Sequence, residues 1–260
     1  MKRRAVVFVA WGDRFVAEVA ACLERSPYLA EFDNYLITDL VTAVDIQGLQ
    51  VVRVDFANEG LARKVEMVEH LPAGYDSYVF LDSDTTVIAD LELGFRKAET
   101  HGMALAPAPH YSLDHFWGFD AVLRTEGIEP MGQLQYNTGV VFFSLTDETR
   151  HVFDLWRTLT ERHWNIVAND QPYLSLAFEE SGFLPYVLSI SYNYRGFGEP
   201  ISGIVRVWHS HGSMPRDLND FDDAWPPRRA VPGRVLRSTH PVSAALEHAR
   251  HIARKLFRRD

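Results

Sequence analysis

The stretch that most restricts the folds open to this chain is Ser77–Ile88, SYVFLDSDTTVI. Its apolar run Tyr78–Leu81 follows the turn-like Ala73-Gly74-Tyr75-Asp76. Short and unbroken, it reads as a strand buried on both faces, the kind found at the centre of an α/β sheet. Asp82 and Asp84 come next, with Ser83 between them. Open α/β sheets bind ligands outside the carboxyl ends of their strands. Two carboxylates one residue apart at that place supply oxygen ligands for a hard divalent cation. Asp-x-Asp alone carries little weight, because the chain holds a second copy, Asp220-Phe221-Asp222, in a Pro-rich segment. The position after a buried strand distinguishes the first copy. The plainer alternative is a polar turn capping that strand.

Of the 260 residues, 47% are hydrophobic and 23% charged, enough apolar material for a large core. Cys22 is the sole cysteine, so no intramolecular disulfide is possible and a reducing, cytoplasmic setting is expected. The opening MKRRAVVFVAWGDR has too short an apolar run for a signal peptide and reads as a first strand. No run approaches the roughly 18 apolar residues that a membrane span needs. The net charge of −9 is uneven: residues 228–260 hold nine Lys/Arg against two Asp/Glu, so residues 1–227 carry −16. Such an acidic body argues against nucleic acid as a partner.

Strand and helix signals alternate. Strands are expected at Ala5–Ala10, Tyr35–Thr38, Gln50–Val54, Met103–Ala106, Thr138–Leu145, Phe183–Ile190 and Ile204–Trp208, besides the one ending at Leu81. Helices are expected after Asp13 as a cap, over Leu61–Leu71 and Leu91–Thr100, from a cap at Asp147 to about His163, and from a cap at Asn169 or Asp170 with Pro172 in the first turn. His110–Asp120 is expected to be a loop. The pattern predicts a doubly wound, mostly parallel sheet. The expected division is a catalytic domain over 1–215, then a Pro-rich segment and a basic amphipathic C-terminal helix over 216–260. In that helix Val242, Leu246, Ala249, Ile252, Ala253, Leu256 and Phe257 form a stripe, with Arg250, Arg254, Lys255, Arg258 and Arg259 off it. The stripe suits an anionic membrane surface or the protein's own acidic body.

Four segments hold the candidate chemistry: LDSDT at Leu81, YNTGVVFF at Tyr136, NDQPYLSLA at Asn169 and IVRVWHSHG at Ile204. In the last, His209 and His211 share one side of a strand. Either they are surface histidines, or one joins Asp82 and Asp84 on a metal; a carboxylate–imidazole set suits Mn²⁺ better than Mg²⁺ or Ca²⁺.

The order and spacing of these motifs over residues 5–215 resemble the retaining GT-A-fold (nucleotide-diphospho-sugar transferase) glycosyltransferases of family eight, relatives of glycogenin and of bacterial lipooligosaccharide galactosyltransferases. The resemblance implies Mn²⁺ (or Mg²⁺) on Asp82, Asp84 and His209, with Asp170 and Gln171 near the reacting sugar. It implies donor contacts from Ala10, Asp13, Phe15, Lys64, Ser83, Asn137, Thr138, Gly139, His211 and Gly212. It further implies a hexosyltransferase taking its sugar from a nucleotide-sugar, UDP-linked, and passing it with retention to a glycan or glycolipid of a cell-surface polysaccharide. Aromatic and polar residues of His110–Asp120, namely Asp114, His115 and Trp117, are candidates for the acceptor. A lipid-linked acceptor would suit a tail resting on the inner membrane face. Two departures stand out. The family's Lys-Pro-Trp is replaced by Ser213-Met214-Pro215-Arg216, and Trp11-Gly12 reads as a one-residue insertion in the base loop.

The main rival is a haloacid-dehalogenase-like phosphohydrolase with Asp82 as nucleophile and Asp84 as acid/base. That signature normally closes the first strand, and it leaves the Asn137, Asp170 and His209 segments without a role. A nucleotidyltransferase would want a Gly-rich basic loop after the first strand. A non-catalytic nucleotide-sugar binder would take up donor without turnover.

Overall fold

The structure, a computed structural model, describes residues 2–196 and 204–210. In chain order the elements are β1 (Arg4–Val9), α1 (Gly12–Arg25), β2 (Asp33–Asp39), β3 (Leu49–Val54), β4 (Ser77–Leu81), β5 (Thr85–Val87), α2 (Glu92–His101), β6 (Met103–Ser112), α3 (Phe119–Thr125), β7 (Leu134–Phe143), α4 (Asp147–His163), α5 (Gln171–Ser181), β8 (Tyr186–Val187) and β9 (Val207–His209). A 3-10 helix, Gly60–His70, lies between β3 and β4.

Seven strands form one sheet in the order β3-β2-β1-β4-β7-β6-β8. β4 sits at its middle and alternates its side chains between two cores. Tyr78 and Phe80 join the core under α4, α5 and the 3-10 helix, with Trp156, Tyr173 and Phe143. Val79 and Leu81 join the core under α1 and α2, with Phe8, Phe95 and Phe142. Each fully buried side chain of this size contributes about 1.5–3 kcal/mol of transfer free energy, which explains why an apolar run with no polar face lies here. Gly94 lets α2 approach closely, since a Cβ there would meet the Phe142 ring at 2.5 Å.

The sheet is mostly parallel, but β7 runs against both neighbours, β4 and β6. This reversal positions the site. It turns the start of β7, Asn137-Thr138-Gly139, toward the carboxyl end of β4, and Asp82 N donates to Gly139 O at 2.8 Å. A second, two-stranded sheet pairs β5 with β9 antiparallel, Thr85 opposite His209.

Several local expectations are corrected. α1 starts from Trp11, with Asp13 in its first turn. α4 is capped by Thr146, which shares a reciprocal capping box with Thr149; Asp147 is the first helical residue. The 3-10 winding of Gly60–His70 replaces the expected α-helix. The expected loop His110–Asp120 divides among the end of β6, a 3-10 turn at Leu113–His115 and the start of α3. Of Phe183–Ile190 only Tyr186–Val187 pairs as a strand, and the apolar residues that follow enter a 3-10 turn. His211, Gly212, Arg216 and the basic segment 241–260 lie outside the described residues.

Candidate active site

Three elements deliver the candidate metal ligands. β4 ends at Leu81, and the turn after it, closed by Thr85 N donating to Asp82 O, presents Asp82 and Asp84. The β5–β9 pairing brings up His209 from a segment 125 positions beyond Asp84. His209 Nε2 lies 3.2 Å from Asp84 Oδ1 and 3.5 Å from Asp82 Oδ2. One ligand atom from each residue lies within 4.8 Å of the others. A single divalent ion with oxygen and nitrogen bonds of about 2.0–2.5 Å would touch all three.

The imidazole is oriented for that role. His209 Nδ1 donates to Asn193 Oδ1 at 2.7 Å, and the Asn193 amide is itself turned by Nδ2 donating to Asn137 O at 3.4 Å. With Nδ1 engaged by Asn193, Nε2 faces the two carboxylates and is placed to share a divalent ion with them. Gly139 is required by space rather than by backbone angle. A Cβ there would collide with the His209 ring, lying 2.6 Å from Nδ1 and 2.9 Å from Asp82 Oδ2.

Behind the triad lies a buried ion group. Lys64 Nζ is 2.8 Å from Asp82 Oδ1 and 3.2 Å from Asp170 Oδ2. Burial disfavours the Lys64 ammonium, but Asp170 and Asp82 outweigh it and hold the lysine above its ordinary range. Burial also pushes the Asp170 carboxyl up, against the Lys64 ammonium and the Thr138 hydroxyl, which donates to it at 2.9 Å. The two directions compete, since a protonated Asp170 would grip Lys64 less. With two carboxylates within 3.2 Å of one ammonium, Lys64 is taken as charged. Asp82, Asp84 and Asp170 together outnumber that single cation, so the group is electrostatically suited to an added positive ion. The fully buried Trp156 fixes the entry to α5 by donating Nε1 to Asp170 O at 2.9 Å.

A cleft of about 270 Å³ opens over these groups. Asp82, Ser83, Asp84, Lys64, Thr138, Asp170, Gln171, His209 and Phe15 line it. Asn137 and Gly139 stand behind the lining, both within β7; Asn137 Oδ1 accepts from Gly139 N at 3.0 Å. Ala10 is buried at the end of β1, and Asp13 lies on an exposed face of α1. Asp114, His115 and Trp117 do not line the cleft. They lie beyond the carboxyl end of β6, which runs in the same sense as β4, and hence on the same edge of the sheet as Asp82. Burial pushes the Asp114 carboxyl up, but hydrogen bonds from Ser112 and His115 hold it below its usual range. Trp117, 79% exposed, takes a left-handed φ of 47° and stacks on Phe116.

Sequence reasoning missed Trp11, Arg14, Glu18, Asn169 and Arg195, which line the cleft, and Asn193 behind His209. Glu18 accepts from Ser83 Oγ at 2.7 Å and from Arg14 Nε at 3.2 Å, tying α1 to the loop that bears Asp82 and Asp84. Trp11 could have been found from its place directly after the first strand. Asn193 had no such signal, being one polar residue among aromatics in irregular chain.

No family model matches this chain, and no curated protein matches it in sequence. Solved structures do. Mouse xyloside xylosyltransferase 1 in its apo form aligns at 13% identity over 83% of this chain and 100% of its own, with a TM-score of 0.54. The galactosyltransferase LgtC, in complex with donor and acceptor sugar analogues, aligns at 15% identity over 85% of this chain and 92% of its own, with a TM-score of 0.58. The glycosyltransferase GlyE of Streptococcus pneumoniae TIGR4 aligns at 16% identity over 84% of this chain, which spans 56% of that protein, with a TM-score of 0.55. At such identities the likeness is one of fold. The chain therefore has the GT-A glycosyltransferase fold, a mixed α/β architecture on a mostly parallel central sheet.

Proposed function

We propose that this protein is a metal-dependent glycosyltransferase that moves a hexose from a nucleotide-sugar, UDP-linked, to a glycan or glycolipid acceptor with retention at the anomeric carbon. The observation that carries the reading is the Asp82–Asp84–His209 cluster on the wall of the same cleft that Asp170 and Gln171 line, in a fold shared with glycosyltransferases. Asp82, Asp84 and His209 would hold Mn²⁺, which when bound offsets the charge of the diphosphate.

The remaining work falls to this chain's own groups. Breaking the sugar–diphosphate bond leaves an oxocarbenium-like sugar on one side and a diphosphate on the other. Asp170 and Gln171 line the cleft where a carboxylate and an amide can bind sugar hydroxyls and offset positive charge. Lys64 ties Asp170 to Asp82, so the sugar end and the metal end are held in one geometry. Arg195 and Arg14 bring cations to a cleft whose floor is acidic. Asp114, His115 and Trp117 are assigned to the acceptor, with the exposed indole as a stacking face for a sugar ring.

The catalytic domain is placed at 1–215 and the basic segment 241–260 on an anionic membrane surface at the cytoplasmic side. No helix among the described residues is long and apolar enough to cross a membrane. The phosphohydrolase reading finds less support, because the strand carrying Asp82 is the fourth in the chain and the likeness is to glycosyltransferases.

The test is a hydrolysis screen of nucleotide-sugars with Mn²⁺, comparing wild type with Asp84→Asn. Consumption of at least one donor, reduced about a hundredfold or more by the substitution, is the expected result. No donor bound or consumed, or an unaffected variant, refutes the assignment. An aspartyl-phosphate trapped on Asp82 by fluoroberyllate would favour the phosphohydrolase instead.

A further inference from the structure

Large apolar side chains left in water are ordinary when scattered singly and informative when they gather. They gather in the chain between the end of β6 and the start of β7. Tyr111 is 39% exposed, Trp117 79%, Met131 80% and Leu134 49%. None of the four hangs loosely. The Tyr111 ring meets Phe116 edge-on at 5.5 Å, and Phe116 stacks on Trp117 at 5.8 Å. Trp117 and Gly118 take left-handed φ values in succession, 47° and 87°. A tryptophan adopts such a backbone at a cost, and here the indole it carries is left open to water. Met131 sits in a turn fastened by Gln133, whose Oε1 accepts from Met131 N at 3.1 Å and whose Nε2 donates to Glu129 O at 2.8 Å. Leu134 pairs with Ser112, and Leu113 N donates to Gln133 O at 2.8 Å, so the two segments are tied to each other.

What covers this patch is decided by its size and its place. Four side chains are far fewer than the roughly 20–30 residues a side that a stable protein interface uses. The patch is continuous with the candidate site, because β7 leads from Leu134 directly to Thr138 on the cleft wall. Four residues of strand span about 13 Å. Polar groups share the same segments: His115 Nδ1 is 2.8 Å from Ser112 Oγ and 3.2 Å from Asp114 Oδ2. The fitting occupant is an amphiphile, with a polar part reaching the cleft and a small apolar part on the patch. We infer that Tyr111, Trp117, Met131 and Leu134 receive the hydrocarbon aglycone of a glycolipid acceptor, and that the protein selects acceptors carrying a short glycan on an alkyl chain. The inference rests on the transferase reading. The span between patch and cleft leaves room for that glycan, and the fixed turns lower the ordering cost of binding the chain.

The experiment measures binding of methyl and octyl glycosides of galactose, glucose and N-acetylglucosamine to the full chain with Mn²⁺ and UDP, by calorimetry below the micelle concentration. Each methylene fully buried improves affinity about fourfold, so for at least one sugar the octyl glycoside should bind at least about tenfold more tightly than the methyl glycoside. The double variant Met131→Ser/Leu134→Ser should lose most of that preference. Leu184→Ser, at a side chain 87% exposed beyond α5, should keep it. The tryptophan emission should shift to the blue as the chain covers Trp117, and Trp117→Phe should abolish the shift while keeping most of the affinity. Thermal melts confirm that the variants are folded. Donor consumption without acceptor is measured separately. If wild type consumes donor, the inference alone is overturned by any of three results: octyl and methyl glycosides bind alike, all three octyl glycosides bind alike, or the double variant keeps the preference. A dimer in sedimentation that the double variant lacks, with no preference for octyl, assigns the patch to a second copy and likewise overturns it. If wild type neither consumes nor binds any nucleotide-sugar, both readings fall.

Discussion

At the scale of single residues, the candidate site depends on contacts whose loss has separable effects. Gly139→Ala should push the His209 ring out of reach of Asp82 and Asp84. Mn²⁺ affinity, followed by the free-ion signal in electron paramagnetic resonance, is expected to fall more than about tenfold with the fold intact. Asn193→Ala frees the ring to turn and to change tautomer, and a loss of about 10- to 100-fold in Mn²⁺ affinity is expected. An Asn193 variant that binds Mn²⁺ like wild type would show that the ring is held by packing alone. Asp82, Asp84, Asp170 and His209 were legible as chemistry in the sequence, because each sits at an element's end with a residue type that coordinates ions. Asn193 was not, since an amide acquires this role only from what stands beside it.

At the scale of elements, capping and charge pin the helices to the sheet. Thr146→Ala removes one half of the α4 capping box and should cost about 1 kcal/mol, read from chemical denaturation. The start of β1 and β4 is tied to α2 through Glu99, which accepts from Arg4 Nε at 2.9 Å and Ser77 Oγ at 3.0 Å. Burial pushes the Glu99 carboxyl up, but the hydrogen bonds from Arg4, Ser77 and Lys2 outweigh it and hold the carboxyl below its usual range. A depressed folded pKa gives stability that is present above the unfolded value, near 4.3, and lost as pH falls through the folded one. Glu99→Gln should therefore melt lower than wild type at pH 7, with the gap closing as the pH is taken below about 4. A gap independent of pH would mean that Glu99 acts through packing rather than charge. Helices α2, α4 and α5 were legible in position from the sequence, although the cap of α4 is Thr146 and not the expected Asp147. The winding of Gly60–His70 was not, because the apolar spacing of so short a helix does not separate 3-10 from α turns.

At the scale of the whole molecule, the candidate ion site joins parts of the chain that are distant in sequence: the loop after β4 and the end of β9. An ion bound there only in the native state stabilises the entire fold by mass action. Mn²⁺ at a hundredfold excess over its Kd should add about 2.7 kcal/mol and raise the melting temperature. Excess chelator should reverse the rise, and Asp84→Asn should abolish it. A melting temperature indifferent to Mn²⁺ would speak against the site.

The sequence by itself determined the class of fold, because alternating buried strands and amphipathic helices leave few other ways to cover a sheet on both faces. It also supplied the ionisable residues Asp82, Asp84 and His209 that the fold gathers into one cluster. Only the tertiary structure decided that β7 runs against β4. Local periodicity is the same in parallel and antiparallel strands, yet that direction alone brings Asn137–Gly139 to Asp82. It likewise decided that Thr85 pairs with His209. Those contacts cross long stretches of chain, and packing between elements, rather than any property of one segment, selects them.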